Sequence, residues 1–215
     1  MSHTSRPRIL IADDNMLIAE AFKKYLADSF DVVATVHNGR SLVEAASRLL
    51  PDVIIAEIAM PLLNGLEAGQ RIKRLLPGVR IIYLTMNDEP EIVFEGFRHG
   101  GSGCLLKTSP ASEIISAIRC VMRGGRYVSP GIPMWTTDPA PPSQNSGLHG
   151  GDLTERQREV LQLLAEGFSM KEAAAILNVA TRTVAFHKYR IMESLQLQNN
   201  ADMVQYAMRN HIVSN

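Results

Sequence analysis

Apolar residues along the chain follow two rhythms. In the first 130 residues, five short apolar runs recur: Ile9-Leu10-Ile11-Ala12, Val32-Val33-Ala34-Thr35-Val36, Val53-Ile54-Ile55-Ala56, Ile81-Ile82-Tyr83-Leu84 and Cys104-Leu105-Leu106. Between and after them lie stretches with helical spacing, at 15–28, 40–50, 65–76, 90–100 and 110–123. Near-continuous apolar runs alternating with amphipathic helices predict a parallel sheet buried on both faces. Ser109 followed by Pro110 predicts the start of the last helix, with a hydroxyl cap and a proline in the first turn.

The rhythm stops at 131–151, GIPMWTTDPAPPSQNSGLHGG, which is rich in Pro, Gly, Ser and Asn. That composition predicts a flexible linker. Residues 152–215 then show only helical spacing, in four segments at 154–166, 170–177, 182–195 and 201–209. Gly167 should end the first, Asn178 should mark the turn after the second, and Asn199 or Asn200 should cap the fourth. Thr181 is the expected cap of the third, since Ala180 has no capping oxygen. The organisation expected is therefore an α/β domain at 7–130, a linker at 131–151 and an all-α domain at 152–215.

Composition narrows the classes. Lys plus Arg and Asp plus Glu both number 22, so net charge gives no hint of a polyanionic partner. Two cysteines rule out a disulfide framework and suit a reducing cytoplasm. The N-terminus has no signal-peptide pattern, and no apolar run approaches the roughly 20 residues that span a bilayer. A soluble cytoplasmic protein without a membrane partner is expected.

Chemistry concentrates at the strand ends. Asp13 and Asp14 follow the first run, Glu57 the third, Thr85 the fourth, and Lys107 the fifth. In open parallel sheets that edge binds ligands. Three carboxylates against one ammonium leave a surplus of two negative charges, which a proton or a hard divalent cation would offset. Magnesium with Asp13, Asp14 and Glu57 as ligands fits this count. A buried ion-pair cluster with no ligand remains the plainer reading.

The segments RILIADDN, PDVIIAEIAMP, IIYLTMND and GGSGCLLKTSP resemble the signature segments of response-regulator receiver domains. The resemblance implies a flavodoxin-like five-stranded sheet in the order 2-1-3-4-5. It implies that Asp13 and Asp14 hold magnesium and that position 57 accepts a phosphoryl group. It further implies that Lys107 neutralises that group and that the Thr85 hydroxyl senses it. Two positions depart from the pattern: Glu57 stands where the family has aspartate, and Cys104 where it has Tyr or Phe at the switch position. One extra methylene moves a carboxylate by up to roughly 1.5 Å, and phosphoryl transfer is sensitive to such placement. The expectation is regulation without ordinary aspartyl phosphorylation, with magnesium binding weakened or lost, or a receiver held in one state. Glu57 could instead reach Lys107 and partly imitate the charge of a phosphoaspartate. Two origins fit Glu57: a naturally degenerate receiver, or a glutamate put in place of aspartate. Cys104, a second departure in the same relay, favours the first. Cys104 itself reads as a small buried thiol more readily than as a redox sensor.

In the second domain, residues 182–195 fall into two sides at about 100° per residue. Val184, His187, Lys188, Ile191 and Leu195 share one side, with Lys188 at its edge; Arg182, Ala185, Phe186, Tyr189 and Glu193 share the other. Exposed Phe and Tyr on one helix call for a partner surface. LTERQREVLQLLAEGFS, KEAA and TRTVAFHKYRI resemble the LuxR-type helix-turn-helix, so that the two domains together resemble the NarL/FixJ type of transcription regulator. The resemblance implies that helix 182–195 enters the major groove of double-stranded DNA. Lys171, Thr183, Lys188 and Arg190 would then meet phosphates, and Arg182, Phe186 and Tyr189 base edges. Ala185 and Met170 replace the usual lysine and asparagine. Seven basic and seven acidic residues in 152–215 predict modest non-specific affinity. The resemblance also implies a homodimer through helix 201–209, and a sensor kinase or other regulatory protein as input. No catalytic constellation stands out, so an enzyme is not expected. The alternative is a protein-interaction module in which a degenerate receiver accompanies weak or no DNA binding.

Overall fold

The structure is a computed structural model that describes residues 6–132 and 153–213. Residues 133–152, which include most of the expected linker at 131–151, lie outside the described residues. The first domain runs β1 (Arg8–Ala12), α1 (Met16–Leu26), β2 (Asp31–Val36), α2 (Gly39–Leu49), β3 (Val53–Glu57), α3 (Gly65–Leu75), β4 (Arg80–Thr85), α4 (Pro90–Arg98), β5 (Gly103–Leu106), α5 (Ala111–Met122) and β6 (Tyr127–Val128). The second runs α6 (Glu155–Ala165), α7 (Met170–Leu177), α8 (Thr181–Ser194) and α9 (Asn200–Arg209).

The sheet is parallel, in the order β2-β1-β3-β4-β5-β6. Strand alternation divides the core in two. Leu10, Ala12, Ile54, Ala56, Ile81 and Tyr83 face α2, α3 and α4, whereas Ile9, Ile11, Val53, Ile55, Ile82 and Leu84 face α1 and α5. That is why the strands read as continuous apolar runs: each face needs its own set. The sixth strand is an addition to the expected five. Tyr127 and Val128 pair with Gly103 and Cys104 at the sheet's edge, and two residues are too few to show a period.

Local signals placed most helix ends. Gly167 takes φ +92°, Asn178 closes α7 at φ 52°, and Asn199 caps α9 with Asp202 in a reciprocal capping box. Two expectations fail. Ala180, not Thr181, occupies the N-cap of α8, and no side chain caps that end. Pro110, not Ser109, precedes α5, and the Ser109 hydroxyl lies 3.1 Å from that of Ser129 instead. A hydroxyl with a nearer partner does not cap.

The four-helix core contains Val160, Leu161, Leu163, Ala173, Leu177, Val184, Ile191 and Met203. It is completed from the first domain, because Leu62 packs against it. The domains meet where α6 and residues 211–212 lie on α2, α3 and the loop 58–64. The amide of Gln162 donates to Met60 O at 2.8 Å and accepts from Asn64 N at 2.7 Å. Glu166 accepts from Leu62 N at 3.1 and 3.2 Å. Asn64 Nδ2 donates to His211 O at 2.9 Å. Among the described residues, no helix is long and apolar enough to cross a membrane.

Candidate functional site

The parallel sheet delivers Asp13, Glu57, Thr85 and Lys107 to one edge, with Asp14 beside them, because each follows or ends a strand. Asp13 is fully buried, and its Oδ1 accepts from Asn15 N at 2.9 Å. Lys107 Nζ lies 2.9 Å from Asp13 Oδ2 and 2.5 Å from Glu57 Oε1. The lysine is 5 % exposed and therefore has little solvent to fall back on. Carboxylate oxygens of Asp13, Asp14 and Glu57 lie within 4.8 Å of one another. Glu57 Oε2 is buried without a hydrogen-bond donor.

Burial pushes the Glu57 carboxyl up to about 8; the neighbouring Asp14 carboxyl adds to the rise, and Lys107 opposes it. Asp14 and Glu57 can share a hydrogen bond only if one of them holds a proton. A cation would serve the same need. Three oxygen donors, excess negative charge and an unsatisfied buried oxygen are what a hard divalent ion takes, so these residues fit magnesium.

Two further positions are clear. The Thr85 hydroxyl is turned onto Asn87, accepting from its N–H at 3.0 Å and donating to its carbonyl at 3.2 Å. Cys104 is buried, and burial pushes its thiol up to about 12, far from the thiolate a redox sensor needs. The strand register brings Tyr83 opposite Cys104. Tyr83 is fully buried, and its hydroxyl donates to His99 O at 3.2 Å. A Cβ built on Gly69 would sit 1.9 Å from that hydroxyl, and one on Gly101 2.9 Å from the ring. The domain thus carries a fixed aromatic ring one strand away from the position where the resemblance implies a movable one. Sequence reading missed it, although the glycines at 69, 96 and 101 were its signal.

The second candidate surface is α8. Val184 and Ile191 are buried, His187, Lys188 and Leu195 half-buried, and Arg182, Phe186, Tyr189 and Glu193 exposed. The expected two sides are observed. Phe186 is 59 % and Tyr189 66 % exposed, more than soluble surfaces ordinarily leave aromatic rings. Arg190 lies over the Phe186 ring at 6.0 Å and pairs with Glu193 at 3.1 Å. Lys171 is exposed at the start of α7, and Thr183 is half-buried. In α9, Met203 and Ala207 serve the core, whereas Val204 and Met208 line a cavity of about 250 Å³ that also touches Asp14, Met60 and Pro61.

Sequence reading also missed the contacts between the domains. Arg71 Nε reaches Glu155 at 2.6 Å, Arg40 reaches Glu159 at 2.8 Å, and Arg158 Nε reaches Glu67 at 2.6 Å. These residues look like solvated helix faces in sequence; only Glu67, beside Leu66, Ala68 and Gly69, is out of place there.

Both domains have counterparts among known proteins. Residues 9–119 match the response regulator receiver domain, and residues 152–207 match the bacterial regulatory proteins of the luxR family. The oxygen regulatory protein NreC of Staphylococcus carnosus is 33 % identical, over 96 % of this chain and 99 % of its own. The transcriptional regulatory protein YxjL of Bacillus subtilis is 34 % identical, over 96 % and 97 %. Among solved structures, the Salmonella typhimurium response regulator RcsB superposes with a TM-score of 0.62 at 26 % identity, over 94 % of this chain and 97 % of its own. An RcsB–DNA complex superposes at 0.56 and 25 % identity, over 95 % and 99 %. The chain belongs to the NarL/FixJ-type response regulators, DNA-binding transcription regulators that join a receiver domain to a LuxR-type helix-turn-helix.

Proposed function

We propose that this regulator binds its DNA through the outward side of α8 and does so without ordinary aspartyl phosphorylation of its receiver. Arg182, Phe186 and Tyr189 meet base edges in the major groove, and Lys171, Thr183, Lys188 and Arg190 meet phosphates. The protein binds as a homodimer through α9, on half-sites about one helical turn, roughly 10 bp, apart. Support for this comes from the RcsB–DNA complex, whose chain is aligned over nearly its full length. The exposure of Phe186 and Tyr189 points the same way.

The observation that carries the receiver reading is the saturated Lys107. Its ammonium already holds two carboxylates, Asp13 at 2.9 Å and Glu57 at 2.5 Å. Glu57 therefore occupies, from within the chain, the place beside Lys107 that a phosphoryl group would take. The Thr85 hydroxyl is engaged by Asn87 and Cys104 supplies no ring, so neither part of the usual relay is poised to move. Asp13, Asp14 and Glu57 would hold magnesium, which when bound supplies positive charge to their carboxylates. A sensor kinase or another regulatory protein would act on this receiver by docking.

Incubation with acetyl phosphate and magnesium, followed by mass measurement, tests the reading. Unmodified Glu57 is expected, with DNA affinity unchanged by the treatment. Stable, stoichiometric phosphate on Glu57 overturns it. The Glu57→Asp variant is expected to become phosphorylatable and to show phosphate-dependent DNA binding.

A further inference from the structure

We propose that the helix-turn-helix domain reads DNA while docked on the receiver, whose α2–α3 face is a permanent seat for it and not a brake. The proposal rests on the DNA-binding reading above and deepens it.

Three observations carry it. First, docking leaves the reading surface free. The domain is held by α6, its cap Glu166 and residues 211–212, whereas Phe186 and Tyr189 on α8 stay exposed in the docked arrangement. Among the described residues, no hydrogen bond or ion pair joins α7 or α8 to the receiver.

Second, the seat neutralises the acidic side of α6 locally. Residues 152–215 hold seven basic and seven acidic groups, a poor balance for meeting phosphates. Docking brings Arg40 and Arg71 onto Glu159, at 2.8 and 3.1 Å, and Arg71 and Arg74 onto Glu155, at 2.6 and 3.0 Å. Glu67 and Glu89 come the other way, onto Arg158 and His211. Three arginines thus gather locally on the acids of α6, while the whole chain, like the free domain, has no net charge. The hydrogen bonds from Arg74 and Arg71 outweigh burial and hold Glu155 below the usual carboxylate range. It therefore stays ionised and neutralised by the receiver.

Third, the seat completes the small domain's core. Leu62 inserts against it from a left-handed backbone position, φ +65°. Its N–H is held by Glu166 and the loop around it by Gln162. Undocking would remove an apolar wall from a domain of four short helices and would strip Glu155 of its arginine partners.

Two receiver-side variants of the full chain test this while leaving the reading domain's own sequence intact: Arg40→Glu with Arg71→Glu, which repels α6, and Leu62→Ser, which opens the contact without changing charge. Small-angle scattering reads docking, and titration with a short duplex enriched from random sequence by the wild-type chain reads affinity. Both variants are expected to expand and to bind severalfold more weakly, and the wild-type complex with DNA to stay compact. Affinity that is unchanged or raised in the expanded variants overturns the proposal, as does a wild-type chain that expands on binding DNA. Variants that stay compact overturn the assignment of these contacts as the seat. If the wild-type chain enriches no duplex at all, the DNA-binding reading falls, and this one with it.

Discussion

The acidic edge of the receiver and the outward side of α8 are opposites. At the edge, the buried ammonium of Lys107 is shared by Asp13 and Glu57, and the Thr85 hydroxyl is held by Asn87. On α8, the rings of Phe186 and Tyr189 stand in solvent, and Arg190 meets the Phe186 ring and forms a surface ion pair with Glu193. Burial decides the energetics. A pair taken out of water is costly to break from one side, whereas an exposed pair contributes little. The receiver's polar groups thus meet one another out of water, and those of the helix stay in solvent. A change at the first region should register as stability, and a change at the second as binding.

The sharpest way to break this contrast is Lys107→Ala. It leaves three close carboxylates with no cation, and the receiver should lose about 3–5 kcal/mol in urea denaturation. A loss near zero would mean that the edge is as solvated as α8. A smaller effect is expected from Glu57→Gln. A carboxyl raised in the folded state above its unfolded value binds more protons folded than unfolded. Its stabilisation is therefore full below about 4.5 and is lost as pH rises toward about 8. The wild-type stability should decline across that window by at most about 1.4 kcal/mol per pH unit, and Glu57→Gln should remove that decline.

On α8 the readouts reverse. Tyr189→Ala should leave stability within about 0.5 kcal/mol and weaken DNA binding by about 1–3 kcal/mol, seen by titration with an enriched duplex. Arg190→Ala should be the mildest change. Stability should move by less than about 1 kcal/mol, and the salt slope of binding should fall by about 1.

How much of this was legible in the sequence follows the range of each interaction. Five strands, nine helices and the caps at Gly167, Asn178 and Asn199 were readable, because each is set by neighbours in the chain. The strand-end carboxylates and Lys107 were readable as a group, because parallel strands bring their ends together. Strand β6 was not, since its pairing depends on an edge that two residues cannot announce. The Ser109 cap was misread because its hydroxyl meets Ser129, a tertiary partner, whereas α8 simply starts one residue earlier than expected, with Ala180 as its uncapped N-cap. The seat was hidden most completely. Arg71 and Glu155 are ordinary solvent-face residues until two domains meet, and helical periodicity does not say which polar face meets which.

Tyr83 also constrains how this receiver could change over time. Its ring fills the space opposite Cys104, hemmed in by glycines at 69, 96 and 101. Restoring an aromatic residue at 104 alone would put two rings where the core has room for one. Replacing Tyr83 first would leave a large void bordered by glycines that offer nothing to fill it. Each single change is therefore expected to cost stability, so the small Cys104 and the large Tyr83 on the next strand are coupled and would have to change together.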